Sequence, residues 1–197
     1  MTLRITLVLL ISFIVCTAYD PELCRDKFIR NGFIPKYTLD ISDIKLKVTF
    51  KYTSGHKAGC GNILDIRSVS KAPFVEADVG RACKYLTVLI MDVDYERGAP
   101  FLHMLIHNIK ASELEFGIDC RKEWEGTAAN YYMPGKTGYG SYRMVVLAYC
   151  QEHYIHRMTH RYWVYNDRKY FKPTHMAKEY GFRRAIAGTY FNVTYDK

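Results

Sequence analysis

Two aspartates, Asp92 and Asp94, are the residues whose type and spacing most suggest chemistry. They end an apolar run over residues 85–93, and because they lie two residues apart they project from the same face of an extended chain. Two carboxylates held close together raise the pKa of one member, and partial burial raises it further. A neutral, donating carboxyl beside an ionised carboxylate can receive an anion such as phosphate. Paired carboxylates also serve glycoside hydrolysis or hard-cation binding, and a pair of turn-forming acids is the plain alternative.

His103 is the second candidate. In a predicted strand over residues 101–107 it shares a face with Phe101, Leu105 and His107. A lone histidine in such a strand is more often a hydrogen-bonded core group than a ligand, so by itself it carries little weight.

Three further motifs fail on spacing or context. Residues 134–137 read Pro-Gly-Lys-Thr but lack the first glycine of a phosphate-binding loop and lead into a strand. Ser141 lacks the following glycine of a nucleophile elbow. His153, His156 and His160 are spaced like metal ligands on a helix, but their context favours solvated side chains. The sequence therefore predicts no metal, no cofactor and no catalytic residues, and we do not expect an enzyme.

The elements that must position these groups are mostly strands. Hydrophobic periodicity predicts strands at residues 45–50, 85–93, 101–107, 142–150, 161–165 and 186–195. Capping residues predict short helices at 20–31 and 173–180. Because no helix follows each strand, an antiparallel-rich β-sandwich with peripheral helices fits better than a doubly wound α/β sheet.

The first eighteen residues predict the compartment. Arg4 precedes an apolar run that ends near the small residue Ala18, so residues 1–18 are predicted to be a secretory signal peptide and residues 19–197 a single mature domain. An uncleaved anchor is the alternative. The net charge of +8 would suit nucleic acid, and so would a short stretch that combines cations with stacking rings: Arg157, His160, Arg161, Tyr162 and Trp163. A secretory signal argues against that partner. We expect a secreted, extracellular protein with at most peripheral membrane contact.

The cysteines and one sequon fit that compartment. Five cysteines remain after removal of the signal peptide: Cys24, Cys60, Cys83, Cys120 and Cys150. In an oxidising environment four of them should pair, and the sequence does not choose among the fifteen possible schemes or say whether the fifth bridges two chains. Asn192, in Asn-Val-Thr, is a glycosylation acceptor unless a strand buries it.

Five short motifs follow one another in order along the chain. They are Gly-Phe-Ile-Pro at 32–35, the apolar run and aspartates at 85–94, Phe-Leu-His at 101–103 with Asn108, Tyr-Met-Pro-Gly-Lys at 132–136 with Tyr142-Arg143, and Ala-Ile-Ala-Gly-Thr-Tyr-Phe at 185–191. Together they resemble the phosphatidylethanolamine-binding protein family, which includes the Raf kinase inhibitor proteins and the plant flowering regulators. The resemblance runs from about residue 32 to residue 196.

That resemblance implies a mainly β fold, in which a large central antiparallel-rich sheet is flanked by a smaller second sheet and peripheral helices. It also implies a shallow pocket at one end, which in the family holds the phosphate-like group of phospholipid headgroups. Carried over to this sequence, the pocket consists of Asp92, Asp94, His103 and the backbone of Pro134 and Gly135.

The sequence departs from the family pattern at several of these places. Val93 replaces a proline between the two aspartates, and Phe101 replaces a tryptophan. Tyr142 stands in place of a second pocket histidine and Met144 in place of a pocket tyrosine. Tyr142 still donates one O–H but cannot be cationic, so we expect headgroup binding to be weakened or retuned.

Three functions follow from these features. The first is a secreted protein that binds a phospholipid headgroup or another small anionic ligand. The second is a secreted interaction module, such as a serine protease inhibitor, with segment 153–172 as its protein-binding surface. The third, an enzyme, rests only on the aspartate pair.

Overall fold

The computed structural model describes residues 21–50, 55–80, 83–96, 99–135, 140–156, 165–182 and 184–195. The predicted signal peptide lies outside these ranges, as do residues 161–164 of one predicted strand. Within the described ranges, no helix is both long and apolar enough to cross a membrane.

Eleven strands and three helices make up these ranges. In chain order they are α1 (Pro21–Arg30), β1 (Ile41–Ile44), β2 (Leu46–Phe50), β3 (His56–Ala58), β4 (Asn62–Asp65), β5 (Phe74–Ala77), β6 (Tyr85–Asp92), β7 (Phe101–Lys110), α2 (Ala111–Phe116), β8 (Ile118–Asp119), β9 (Thr127–Ala129), β10 (Ser141–Gln151), α3 (Pro173–Glu179) and β11 (Ala185–Thr194). A 3-10 turn spans Tyr165–Arg168. Both predicted helices and five of the six predicted strands are confirmed, while the last residue of the sixth, Tyr165, begins the 3-10 turn.

The strands form two sheets. The large sheet has the order β1-β11-β10-β6-β7-β9, and β4 also pairs with β11; the small sheet has the order β3-β2-β5-β8. The pairings of β1 and β4 with β11 are parallel, and the other strand pairs are antiparallel. The predicted fold, a large antiparallel-rich sheet with a smaller second sheet and peripheral helices, is confirmed.

Strand β6 lies between two hydrophobic layers, as its unbroken apolar run predicts. Val88 and Ile90 pack in a cluster between the two sheets, and Leu89 and Met91 pack on the opposite face. The cluster on that opposite face includes Phe28 of α1 and residues of α3. The core therefore holds β6 rigidly up to its last residue, Asp92.

A β-bulge in β7 changes the predicted alternation of its side chains. Leu102 pairs with Met91 and Met104 with the adjacent Ile90, so His103 is an extra residue on its strand. As a result Leu102 packs in the helix-side cluster with Leu105, while Met104 packs between the sheets. The strict alternation that predicted one shared face for Phe101, His103 and Leu105 therefore breaks at the bulge. Bulges of this kind redirect a side chain at the edge of a site.

Two disulfides select one of the fifteen pairing schemes. Cys24 of α1 bonds to Cys60 ahead of β4, and Cys83 bonds to Cys150 near the end of β10, with Cα–Cα distances of 5.4 and 5.5 Å. Cys120 is the free cysteine of the described residues, and its thiol is buried. A buried thiol is poorly placed to bridge two chains.

Candidate functional site

Asp92 lies where three strands of the large sheet meet. It is the last residue of β6, pairs with Met144 on β10 and Phe101 on β7, and is 3% exposed. Its Oδ1 accepts a hydrogen bond from the backbone N–H of Asp94 at 2.8 Å. Burial raises the pKa of Asp92 to about 7; the hydrogen bond from Asp94 opposes the rise, and the charge of Asp94 adds to it. Near neutral pH this carboxyl is therefore divided between its neutral and ionised forms.

Asp94 has a different role from Asp92. Arg143 Nη2 donates to Asp94 Oδ1 at 2.6 Å, and Arg143 Nε and its backbone N–H donate to Oδ2 at 2.7 and 3.0 Å. Burial alone would raise the pKa of Asp94, but the bonds and charge of Arg143 outweigh it and hold the pKa below its usual value. The predicted separation of the two pKa values is present, although burial and Arg143 cause it more than mutual repulsion does. Asp94 is engaged by Arg143, whereas Asp92 carries the shifted pKa.

His103 is buried, at 3% exposed, and its ring contacts that of Phe101, the residue paired with Asp92, with centroids 4.9 Å apart. Its Nδ1 is 2.6 Å from the carbonyl oxygen of Tyr132. Nε2 is also buried and has no hydrogen-bond partner among the described residues. Burial lowers the pKa of His103 to about 4, the bond to Tyr132 opposes this shift, and the charge of Arg168 adds to it. The imidazole is therefore neutral at physiological pH.

Tyr142 is another buried polar residue at this end of the large sheet. It lies two residues before Met144 on β10, so the two side chains share the face on which Met144 is paired with Asp92. Its hydroxyl is buried, and burial raises its pKa, with the side-chain hydrogen bond and the charge of Tyr195 adding to the rise. Its ring packs against Tyr195 with centroids 5.6 Å apart.

The predicted backbone ligands Pro134 and Gly135 belong to the segment that connects these side chains. The Tyr195 hydroxyl, beside Tyr142, donates to the Gly135 carbonyl, while His103 bonds to Tyr132 further along the same segment. Pro134 is buried and has no N–H to offer. Segment 131–135 therefore forms a wall of the site.

Arg168 and Tyr132 are site residues that sequence reasoning missed. Arg168, 4% exposed, donates from Nη1 to the carbonyls of Asn130 at 2.7 Å and His103 at 3.2 Å, and its guanidinium lies 5.9 Å from the Tyr132 ring. These two hydrogen bonds link β7 to Asn130, which directly precedes segment 131–135. The sequence holds no signal for this contact, since Arg168 is 65 residues from His103 and lies in a short 3-10 turn.

A cavity of about 450 Å³ lies next to this wall. Tyr131 and Met133 form part of its lining, together with Met104, Cys120 and Lys122. Asp92, His103 and Tyr142 are not among its lining residues, so the cavity adjoins the buried polar group without containing it.

The remaining sequence candidates lie elsewhere. His153 and His156 are exposed, and the described residues contain no group of three side chains that would hold a metal ion; His160 lies outside the described residues. Asn192 is half-buried in β11, between β10 and β4, and its side-chain amide donates to the Gly61 carbonyl at 2.9 Å. A glycan on this nitrogen would therefore have to be accommodated beside Gly61.

The chemistry of the site is that of hydrogen bonding rather than fixed charge. Asp92, His103 and Tyr142 present a titrating carboxyl, a neutral imidazole nitrogen and a hydroxyl at the end of the large sheet. The neighbouring cation, Arg143, directs its side-chain hydrogen bonds to Asp94. Such a set both donates to and accepts from a small oxygen-rich group.

Comparisons with known proteins agree on the fold. No protein-family model and no curated protein sequence matches the chain. Among solved structures, a phosphatidylethanolamine-binding protein from Plasmodium vivax has a TM-score of 0.61 and 18% identity, covering 87% of this chain and 97% of that one. A carboxypeptidase Y inhibitor in complex with its cognate proteinase has a TM-score of 0.62 and 16% identity, covering 89% and 96%. A phosphatidylethanolamine-binding protein from Plasmodium falciparum has a TM-score of 0.61 and 16% identity, covering 85% and 95%.

Proposed function

We propose that this chain, which has the phosphatidylethanolamine-binding protein fold, is a secreted protein that binds a phospholipid headgroup or another small anionic ligand. The observation that carries the proposal is a buried polar group at this end of the large sheet: Nε2 of His103 has no hydrogen-bond partner among the described residues, and the buried Tyr142 hydroxyl interacts with Tyr195. A buried polar atom without a hydrogen bond costs about 1–3 kcal/mol. A ligand that supplies these bonds recovers that free energy, which gives the site a driving force for binding.

The side chains suit an oxygen-rich group. Tyr142 donates its O–H, and Asp92 donates a second proton whenever its carboxyl is neutral. Because Arg143 donates to Asp94 and Arg168 donates to the backbone carbonyls of the site, we expect affinity to depend on hydrogen bonds in a dry environment.

The two disulfides support the proposal that the protein is secreted. Disulfides form and persist in oxidising compartments, and Cys24–Cys60 and Cys83–Cys150 are well separated in sequence. They agree with the predicted signal peptide at residues 1–18. The direct test is to express the full chain in a secreting eukaryotic cell and sequence the N-terminus of the protein recovered from the medium; a start at Tyr19 is expected, and retention in the cell contradicts the proposal.

The binding test is a calorimetric titration of the secreted protein with phosphoethanolamine. We expect a Kd of millimolar or tighter, which corresponds to about −4 kcal/mol or better. His103→Ala should weaken binding at least tenfold, whereas His153→Ala, an exposed histidine, should leave it unchanged. Absence of binding in the unmodified protein, or equal binding by the His103 variant, contradicts the proposal.

A second candidate, a protease inhibitor, is favoured by one specific observation. The carboxypeptidase Y inhibitor, bound to its proteinase, has the same fold. Near the site this chain has three exposed apolar side chains: Tyr132, Met133 and Tyr170, with exposed fractions of 45%, 49% and 60%. Aromatic side chains and methionine are enriched at protein interfaces. The test is inhibition of a panel of serine carboxypeptidases and endoproteases. No slowing of any member counts against this candidate.

A further inference from the structure

The cavity of about 450 Å³ beside segment 131–135 opens where both sheets end. Strand β9 is the last strand of the large sheet, and β8 is the last strand of the small sheet. Residues of β7 and β9 line the cavity on the large-sheet side, and the segments that precede β5 and follow β8 line it on the small-sheet side. The cavity therefore leads from the surface toward the space between the two sheets.

The floor of this cavity is apolar. Met104 and Ile106 of β7, and Cys120 after β8, line it and belong to the hydrophobic cluster between the sheets. Ala129 of β9 also lines it, and all four side chains are buried. Met133 lines the cavity but is 49% exposed, so a flexible apolar side chain lies at the mouth. A hydrocarbon chain in the cavity would contact apolar side chains at both the mouth and the floor.

The mouth of the cavity carries charge. Lys71, Arg121, Lys122 and Glu123 line the cavity and are exposed. Arg121 donates hydrogen bonds of 2.7 and 2.6 Å to the two carboxylate oxygens of Asp119, so its charge is paired. The other charges of the lining are two lysines and one glutamate, and the lysine ammonium is a compact cation. The mouth therefore has a net positive charge and favours an anionic head group.

Hydrogen bonds hold the walls of the cavity in place. The Tyr131 hydroxyl donates to the Val69 carbonyl at 2.6 Å, which joins the segment after β9 to residues 70–72. The backbone N–H of Cys120 donates to the Pro73 carbonyl at 3.1 Å, which joins the segment after β8 to the start of β5. The volume lies within the range of about 300–1,000 Å³ that is usual for sites that bind one small molecule. Because its walls are braced, such a cavity binds a ligand with little cost of ordering.

We propose that this cavity binds a fatty-acid carboxylate, with the hydrocarbon chain directed toward the cluster between the sheets and the carboxylate at Lys71 and Lys122. A cationic amphiphile would place its charge beside the lysines, and a short carboxylate would leave the apolar floor uncovered. The inference goes beyond the proposed headgroup site, because Asp92, His103 and Tyr142 do not line this cavity.

The first test is a calorimetric comparison of three ligands with the intact secreted protein. Laurate, butyrate and dodecyltrimethylammonium are titrated below their critical micelle concentrations. We expect laurate to bind at least tenfold tighter than either of the other two, because it alone combines a long chain with a negative charge. Absence of laurate binding, or equal affinity for laurate and either comparison ligand, overturns the inference.

Competition separates this inference from the proposed function. Phosphoethanolamine should not displace laurate, and displacement would overturn the inference by showing that the two ligands share one site. Laurate binding that satisfies the comparison above supports the inference even if phosphoethanolamine fails to bind, a result that contradicts only the proposed function.

Two matched charge reversals show which cavity is used. Lys122→Glu should weaken laurate binding by about fivefold or more, because it replaces an attraction by a repulsion at the mouth. Lys178→Glu is the control: it makes the same change at an exposed lysine that lines a second cavity, of about 380 Å³, with Tyr149 and Phe182. This control should leave the affinity unchanged. A loss of affinity with Lys178→Glu that equals or exceeds the loss with Lys122→Glu overturns the inference.

Methionine methyl groups locate the hydrocarbon chain. In protein labelled with ¹³C-methyl methionine, laurate should show nuclear Overhauser effects to Met104 and Met133, which line the cavity. Met91 and Met176 belong to the cluster on the opposite face of the large sheet and should show none. The methyl signals are assigned with single methionine-to-leucine variants such as Met133→Leu. Contacts to Met91 or Met176 in place of Met104 and Met133 overturn the inference.

Discussion

Replacement of Asp92 by asparagine should make the folded protein more stable at alkaline pH. The carboxyl of Asp92 is buried at the end of β6, and ionising it there is costly because the surrounding core solvates charge poorly. Asparagine has nearly the same shape, and its side-chain oxygen can still accept the N–H of Asp94. The variant therefore keeps the hydrogen bond and removes the charge.

The magnitude follows from the pKa of Asp92, which rises from 3.8 to about 7 on folding. A group whose pKa is raised in the folded state binds more protons there than in the unfolded state, so stability is lost as the pH rises from the unfolded to the folded pKa. A tenfold change in proton affinity is worth about 1.4 kcal/mol, so the loss between pH 5 and pH 7 is roughly 3 kcal/mol. Asp92→Asn should therefore gain roughly 3 kcal/mol relative to the unmodified protein when the pH is raised from 5 to 8.

The assay is urea unfolding of both proteins at pH 5 and pH 8, with the same ionic strength. Asp26→Asn, which changes an exposed carboxylate on α1, serves as the matched control and should shift stability by no more than about 0.5 kcal/mol at either pH. An advantage of Asp92→Asn that is the same at both pH values would refute the reasoning, because it would show that ionisation of Asp92 is not the cause.

Three further predictions concern other parts of the fold. Replacing Cys83 and Cys150 together by alanine should cost about 4 kcal/mol in chemical denaturation, since their disulfide closes a loop of 67 residues. Burial lowers the pKa of His107 from 6.5 to about 4, so the unfolded chain takes up a proton first and stability falls as the pH drops through that range. His107→Asn should reduce this acid loss by roughly 3 kcal/mol, measured by denaturation at pH 4 and pH 7; an unchanged acid loss would exclude this histidine as its source. Gly126→Ala would place a Cβ 1.8 Å from the His107 carbonyl oxygen and should lower the thermal midpoint of unfolding sharply. In the control variant Gly135→Ala, the added Cβ meets nothing within 4 Å and should have little effect. Equal midpoints for the two variants would contradict the packing argument.

Long, strongly patterned elements of this fold were predictable, and short ones were not. Strand β6 was identified from its continuous apolar run, and β2 from its alternation. Strands of two to four residues, such as β8 and β4, are too short to show a period of two. Their place is decided by pairing with distant strands, as when β4 joins β11, and local pattern does not contain that information.

The residues of the candidate site were also predictable only in part. Asp92, His103 and Tyr142 could be placed by the order of motifs, since each lies on a long strand. Two other contacts of the site could not be predicted, because their partners are far apart in sequence. Asp94 and Arg143 are 49 residues apart, and His103 and Arg168 are 65 residues apart. The bulge that adds His103 to its strand has no marker in the sequence, because it arises from the register of β7 against β6.

The position of β11 in the large sheet has a consequence for the order of folding. Among the described strands, β1 and β4 pair with β11 alone in that sheet, and β11 is the last strand in the chain. Strands β1 and β4 must therefore wait for a partner that is made more than a hundred residues later, and non-local pairings of this kind are slow to form. The Cys24–Cys60 disulfide joins α1 to the turn before β4, so it can hold this early segment in a compact loop before β11 exists. Oxidation would then precede closure of the sheet, and the rate of folding would depend on the redox conditions that the emerging chain meets.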